Sequence, residues 1–256
     1  AGIRRLCGRS RGGMIAPVLK PMGLGCEHFA RLAAGCVRGG ADIVKEDHGL
    51  ADQPAAPFRA RVEAVCAAIR EARAQTGRST LYFPNLSGRA DEIEDNLRFL
   101  RQVGADGVLV MPGLFGFGLV HRIAGDAGLD LPIMTHPSFL GPHVLAPGNG
   151  FDHGVMFGTL QRLAGADISV FPNVGGRFGF SAGECAAIAD ACRDPEGPGR
   201  AILPSPGGGM SVARAAGMQQ MYGEDVVYLL GGSLLRDPDR IDEAVAAMRH
   251  ALDAPG

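Results

Sequence analysis

A short apolar or β-branched run gives way to a longer amphipathic pattern eight times along this chain, and that alternation limits the fold more than any other feature. Side chains alternating with period two read as strands and those with period 3.6 as helices; strands separated by whole helices run parallel. The predicted strands are Met14 to Lys20, Asp42 to Lys45, Thr80 to Pro84, Gly107 to Met111, Pro132 to Thr135, Asp167 to Phe171, Ala201 to Leu203 and Val226 to Leu230. The predicted helices cover Glu27 to Arg38, Phe58 to Ala74, Ala90 to Val103, Leu119 to Asp126, His153 to Leu163, Ala182 to Cys192, Val212 to Met221 and Ile241 to Leu252. Eight such units close into an α/β barrel of the TIM (β/α)8 type. A length of 256 residues suits one barrel, read here as a single domain over residues 1–256.

The remaining bulk properties narrow the function. Hydrophobic residues at 46% and charged residues at 20% fit a globular core, and many of the 39 glycines sit where apolar runs end, as tight turns require. A net charge of −2 without a basic tract offers nothing to nucleic acid or an anionic membrane. No stretch approaches the ~18 apolar residues of a membrane span, and the N-terminus lacks the apolar core of a secretory signal. Six cysteines without a CxxC pair fall mostly in apolar helical patterns, which reads as reduced, buried thiols in a cytoplasmic protein. A start without Met, almost directly at a strand, points to a missing upstream segment.

Barrels of this type carry their chemistry on the loops after the strands, so residues at strand C-termini are the candidates. After strands seven and eight stand Gly207-Gly208-Gly209 and Gly231-Gly232, which read either as plain glycine turns or as a cradle of backbone N–H groups for a phosphate. In Lys45-Glu46-Asp47-His48, alternation turns Lys45 and Asp47 to the same side. The pair reads as a salt bridge at the barrel mouth, or Lys45 takes up carbon dioxide as a carbamate and joins Asp47 and His48 around a divalent metal. Lys20 is either a surface lysine or a general base whose amine is partly withdrawn from water. His136 ends the fifth strand and is open between a structural and a catalytic role, while His143 and His153 carry weaker signals. Val174-Gly175-Gly176-Arg177 reads as a glycine-hinged loop able to bring Arg177 over a bound anion.

Taken in order, Leu19-Lys20-Pro21-Met22-Gly23-Leu24, the stretch Gly39 to His48 and the two glycine loops resemble the barrel domain of ribulose bisphosphate carboxylase/oxygenase (RuBisCO), and more closely its non-carboxylating relatives, the RuBisCO-like proteins. The resemblance runs from about Gly13 to the last helix. It implies the C-terminal barrel of the RuBisCO large chain, Mg²⁺ bound through carbamylated Lys45 with Asp47, and His48 in the place of the family's third ligand, a glutamate. It further implies Lys20 as the proton-transferring lysine, His136 as the active-site histidine, Gly207, Gly208, Gly231 and Gly232 as one phosphate cradle, and Arg177 in the place of the mobile-loop lysine. The departures are Met22 for the second lysine of Lys-Pro-Lys, Pro137 for an arginine, Val170 for a phosphate-binding histidine and Pro206 for a serine. Most of these losses fall in the second phosphate site, so the expected substrate carries one phosphate and carbon dioxide is not fixed.

The leading expectation is therefore metal-assisted enolisation or isomerisation of a monophosphorylated keto-sugar. The isomerase of 5-methylthioribulose 1-phosphate is favoured, because the cradle suits a terminal phosphate. The alternatives are a decarboxylase, transcarboxylase or hydrolase of a branched 3-oxo sugar-acid phosphate (3-oxo-isoapionate 4-phosphate type), and, in another class, a non-catalytic sugar-phosphate-binding barrel. The family habit implies a homodimer, and a complete site would need an N-terminal α+β domain from a partner subunit, which this chain lacks.

Overall fold

The computed structural model describes residues 2–146, 148–176, 178–232 and 237–254. In chain order they form α1 (Gly2–Leu6), β1 (Met14–Leu19), α2 (Cys26–Gly39), β2 (Ile43–Glu46), α3 (Phe58–Thr76), β3 (Leu81–Phe83), α4 (Ile93–Val103), β4 (Val108–Val110), α5 (Pro112–Phe115) and α6 (Phe117–Gly125). There follow β5 (Ile133–Thr135), a π-helical turn at Val155–Thr159 running into α7 (Leu160–Ala164), β6 (Ile168–Pro172), α8 (Ala182–Arg193), β7 (Leu203–Gly207), α9 (Ala215–Tyr222), β8 (Val227–Leu230) and α10 (Ile241–Asp253). All strand pairs are parallel in the order β3-β2-β1-β8-β7-β6-β5-β4. The bridge between Asn85 and Leu109 brings the two ends together, with Leu86 N–H donating to Leu109 O at 2.9 Å. The expected (β/α)8 barrel is the fold.

Strand alternation divides the apolar residues into two cores. Met14, Ala16, Val18, Ile43, Leu81, Phe83, Leu109, Met134, Ile168, Val170, Val227 and Leu229 fill the lumen. Ile15, Leu19, Val44, Tyr82, Val108, Val110, Ile133 and Phe171 face outward and meet the helices. This period-two rule carries function upward: two residues beyond Val18 is Lys20, and beyond Ile43 are Lys45 and Asp47. Two beyond Met134 is His136. The lumen is largely apolar at its waist and polar at its C-terminal mouth.

Several expected boundaries move. Strand one stops at Leu19, leaving Lys20 in the loop. Before it comes not an immediate strand but α1, whose Ile3, with Cys7 just after it, joins the lumen core from below. The expected helix over Leu119 to Asp126 is α6, which starts two residues earlier, and the short α5 before it is set apart by Gly116, whose φ of 83° no helix accommodates. The helix expected over His153 to Leu163 opens into the π turn, and Phe157 O there accepts from Ser169 Oγ at 2.5 Å.

β7 is the largest correction. It covers Leu203–Gly207 and contains Pro204 and Pro206, residues that argue against a strand on sequence alone. Leu203 N–H donates toward β6, so both prolines place their missing donors on the β8 side. The β7–β8 ladder is accordingly thin, registered at Gly207 with Leu229. Ser205 Oγ donates to Val227 O at 2.8 Å and takes over part of the lost pairing.

All six cysteines are free thiols, and burial pushes Cys36, Cys66 and Cys192 up to about 12. No helix among the described residues is long and apolar enough to cross a membrane.

Candidate active site

A cleft of about 660 Å³ opens at the C-terminal end of the barrel. Lys20, Lys45, Asp47, His48 and His136 line one part of it, and Gly207, Gly208, Gly209, Gly231 and Gly232 another. Ten of the residues singled out in the sequence thus face one space. Arg177 lies outside the described residues. Phe139, Leu145, Phe157, Phe178 and Phe180 add an apolar wall that the sequence patterns did not mark as part of the site.

Lys45 is the more deeply placed of the two cleft lysines, only 1% exposed. Burial, and then the nearby Lys20 charge, push its ammonium down to about 8, against the opposing pull of Asp47 and Glu46. A large neutral fraction near pH 8 makes this amine a nucleophile that an ordinary lysine is not. Asp47 turns Oδ1 to the Gly49 N–H at 2.9 Å, whereas its Oδ2 has no hydrogen-bond partner among the described residues. His48 Nδ1 stands 3.6 Å from Asp47 Oδ1, and its ring stacks on His136 with centroids 4.1 Å apart.

Glu46, between these residues in sequence, does something different. Alternation sends it outward to a fully buried position where Arg61 Nε donates to it at 2.7 Å and Tyr82 Oη at 2.8 Å. Asn85 N–H completes the carboxylate's partners at 2.9 Å. Arg61 also donates to Leu50 O, Ala51 O and Ala56 O, and Asn85 Nδ2 donates to His48 O and Leu50 O. The loop carrying Asp47 and His48 is therefore fastened from beneath by a buried ion pair. Arg61 gave no sign of this in sequence, because it reads as one more charge on an amphipathic helix.

His136 is held well below the usual histidine range, first by burial and then by the charges of Lys45 and His48. Ser138 N–H donates to its Nδ1 at 3.3 Å, with Ser138 Oγ at 2.9 Å from the same atom. A backbone N–H can only donate, so Nδ1 is an acceptor and the neutral ring carries its proton on Nε2.

Across the cleft, the carbonyls of three consecutive glycines are turned toward the β6 side. Gly207 O accepts from Asn173 N–H at 2.9 Å, Gly208 O from Asn173 Nδ2 at 3.3 Å and Gly209 O from Arg214 Nη1 at 2.7 Å. With φ at 102° and 66°, Gly208 and Gly209 adopt a backbone that side chains disfavour, and neither N–H meets a protein acceptor among the described residues. Such a run of free N–H groups is an anion nest. Lys20 Nζ lies 3.3 Å from where a Cβ on Gly231 would stand, so the absence of a side chain there lets the β1 lysine approach the β8 loop.

No group of three or more His, Cys, Asp or Glu among the described residues could hold a metal. A divalent ion here needs Lys45 as a third donor beside Asp47 and His48. The unpartnered Asp47 Oδ2 and the lowered lysine fit that requirement.

The family described as the ribulose bisphosphate carboxylase large chain, catalytic domain, matches residues 2–176. The 5-methylthioribulose-1-phosphate isomerase of Rhodospirillum rubrum is 42% identical over 248 residues, covering 96% of this chain and 64% of that protein. Ribulose bisphosphate carboxylase-like protein 1 of Rhodopseudomonas palustris is 39% identical over 246 residues, covering 96% of this chain and 65% of that one. A crystal structure of a Rubisco-like protein from Rhodopseudomonas palustris superposes with a TM-score of 0.86 at 38% identity, over 98% of this chain and 67% of that chain. The chain thus spans just under two thirds of the length of these curated relatives. Barrel, strand-end lysines, glycine loops and relatives agree: this chain belongs to the RuBisCO large-chain catalytic-domain family, among its RuBisCO-like members.

Proposed function

We propose that this chain is the catalytic barrel of a metal-dependent isomerase acting next to the carbonyl of a monophosphorylated keto-sugar, with 5-methylthioribulose 1-phosphate as substrate. The observation that carries this reading is one cleft with an anion nest at Gly208 and Gly209 facing a wall that holds Lys20, Lys45, Asp47 and His136. The R. rubrum relative, named for this reaction, supports the choice of substrate.

In this reading the glycine loops hold the phosphate and fix the sugar across the barrel mouth. Lys20 Nζ moves the proton between adjacent carbons, and His136 donates its Nε2 proton toward the substrate oxygen. Lys45, as a carbamate, Asp47 and His48 would hold Mg²⁺, which when bound supplies polarisation of the carbonyl. The apolar wall around Phe139, Phe157 and Phe180 receives an uncharged end of the substrate, which favours a methylthio group over the carboxylate of an oxo sugar acid. Val170 in the lumen and Pro206 in β7 stand where the resemblance expects a phosphate-binding histidine and a serine of the carboxylase's second phosphate site, which supports a substrate with one phosphate. A homodimer in the cytoplasm, whose partner's N-terminal domain covers the cleft, completes the proposal.

The test is phosphorus NMR of 5-methylthioribulose 1-phosphate incubated with the protein, Mg²⁺ and bicarbonate. A new phosphomonoester resonance that fails to form when a chelator is present from the start is expected. An unchanged spectrum contradicts the assignment.

A further inference from the structure

Arg214 belongs to none of the sequence motifs, yet its side chain donates to both loops bordering the anion nest. From the short turn before α9, its Nη1 donates to Gly209 O at 2.7 Å and its Nη2 to Val174 O at 2.9 Å. The first carbonyl follows β7 and the second follows β6. Asn173 supports the same joint from inside: fully buried, it donates to Gly207 O and Gly208 O and accepts from Tyr222 Oη at 2.6 Å. The order of these contacts matters. A peptide unit whose carbonyl is tied back has the N–H of the next residue turned the other way, so the ties on Gly207 O and Gly208 O aim the Gly208 and Gly209 N–H groups, while the tie on Gly209 O anchors the end of the run. Asn173 fixes the first two carbonyls, and Arg214 fixes the third.

Resting on the reading of this cleft as a phosphate site, we propose that Arg214 is a positioning residue: by holding Gly209 O and Val174 O, its planar fork locks the β6 and β7 loops in one register and anchors the end of the glycine run whose Gly208 and Gly209 N–H groups Asn173 aims. The guanidinium suits the task because it offers two separated N–H groups in fixed geometry, which a lysine ammonium does not. It acts through the backbone, so the proton-handling side chains on the opposite wall are untouched.

Inorganic phosphate titrated calorimetrically into the parent protein, Arg214→Met and Arg214→Lys gives the test. Phosphate binding by the parent is expected, weakened at least about tenfold in Arg214→Met, a loss of about 1.4 kcal/mol. Arg214→Lys keeps the charge but not the fork, and its affinity should stay well below the parent's. With 5-methylthioribulose 1-phosphate, KM should rise in both variants while kcat holds. If Arg214→Met fails to fold, as thermal melting will reveal, Arg214→Lys still decides the matter. Phosphate affinity equal to the parent's in Arg214→Lys means charge alone suffices and overturns the positioning role. Parent protein that binds no phosphate overturns the cradle itself, and this proposal with it.

Discussion

Lys45 and His136 carry opposite consequences of the same burial. For Lys45, pushed down to about 8, burial creates a neutral amine that can add to carbon dioxide. The neutral fraction grows as pH rises through 8, so bicarbonate-dependent Mg²⁺ binding should strengthen between pH 7 and pH 9 and then level off. Calorimetric Mg²⁺ titration with and without bicarbonate checks this, and Lys45→Ala should abolish the dependence while the barrel stays folded. Unchanged metal affinity in that variant removes Lys45 from the ligand set. For His136, burial disfavours the cation. Because its folded value lies below the unfolded value of about 6.5, the unfolded chain takes up a proton that the folded chain refuses. Stability is thus intact above about pH 6.5 and falls as pH drops below it, by up to about 1.4 kcal/mol per pH unit until the folded value is reached. Urea unfolding of metal-free protein at pH 7.5 and 5.5 should show this loss in the parent, and His136→Gln should reduce it. Both residues were legible as strand-end candidates. Their partners were less so: Ser138 sets the imidazole tautomer through a backbone N–H, and a backbone donor leaves no trace in residue type.

At the scale of elements, seven of the eight strands were readable because alternation and β-branched residues coincide, as in Met14 to Leu19 and Val227 to Leu230. β7 was displaced because its two prolines break the usual rule while both face the same neighbour. The strand survives because its β6 side retains every donor, and because Ser205 answers the Val227 carbonyl. Ser205→Ala should therefore cost about 1–3 kcal/mol, the penalty of a buried carbonyl left without its partner. Urea denaturation measures it, and a loss below about 0.5 kcal/mol, the level of an ordinary surface change, would show that the β7–β8 seam does not depend on the hydroxyl. The apolar wall of the cleft escaped for a related reason. Phe139 and Phe178 stand in irregular loops, where no periodicity marks which way a side chain points.

Across the whole molecule, the two periodicities of the barrel explain why site and core are interleaved in sequence yet separate in space. Most inward positions at the waist are apolar, and the same face toward the mouth carries Lys20, Asp47 or His136. Glu46, one residue out of phase, became structural with Arg61. The central claim is that this mouth abstracts and returns a proton beside a carbonyl with the help of a divalent metal. It is tested most directly by incubating 5-methylthioribulose 1-phosphate with the protein in deuterated water and following the carbon-bound hydrogens by NMR. The account predicts deuterium entering at a carbon adjacent to the carbonyl only when Mg²⁺ and bicarbonate are present, and not with Lys20→Ala. Substrate recovered without deuterium and unconverted under those conditions, from protein that nevertheless binds phosphate, would contradict it and leave a sugar-phosphate-binding barrel in its place.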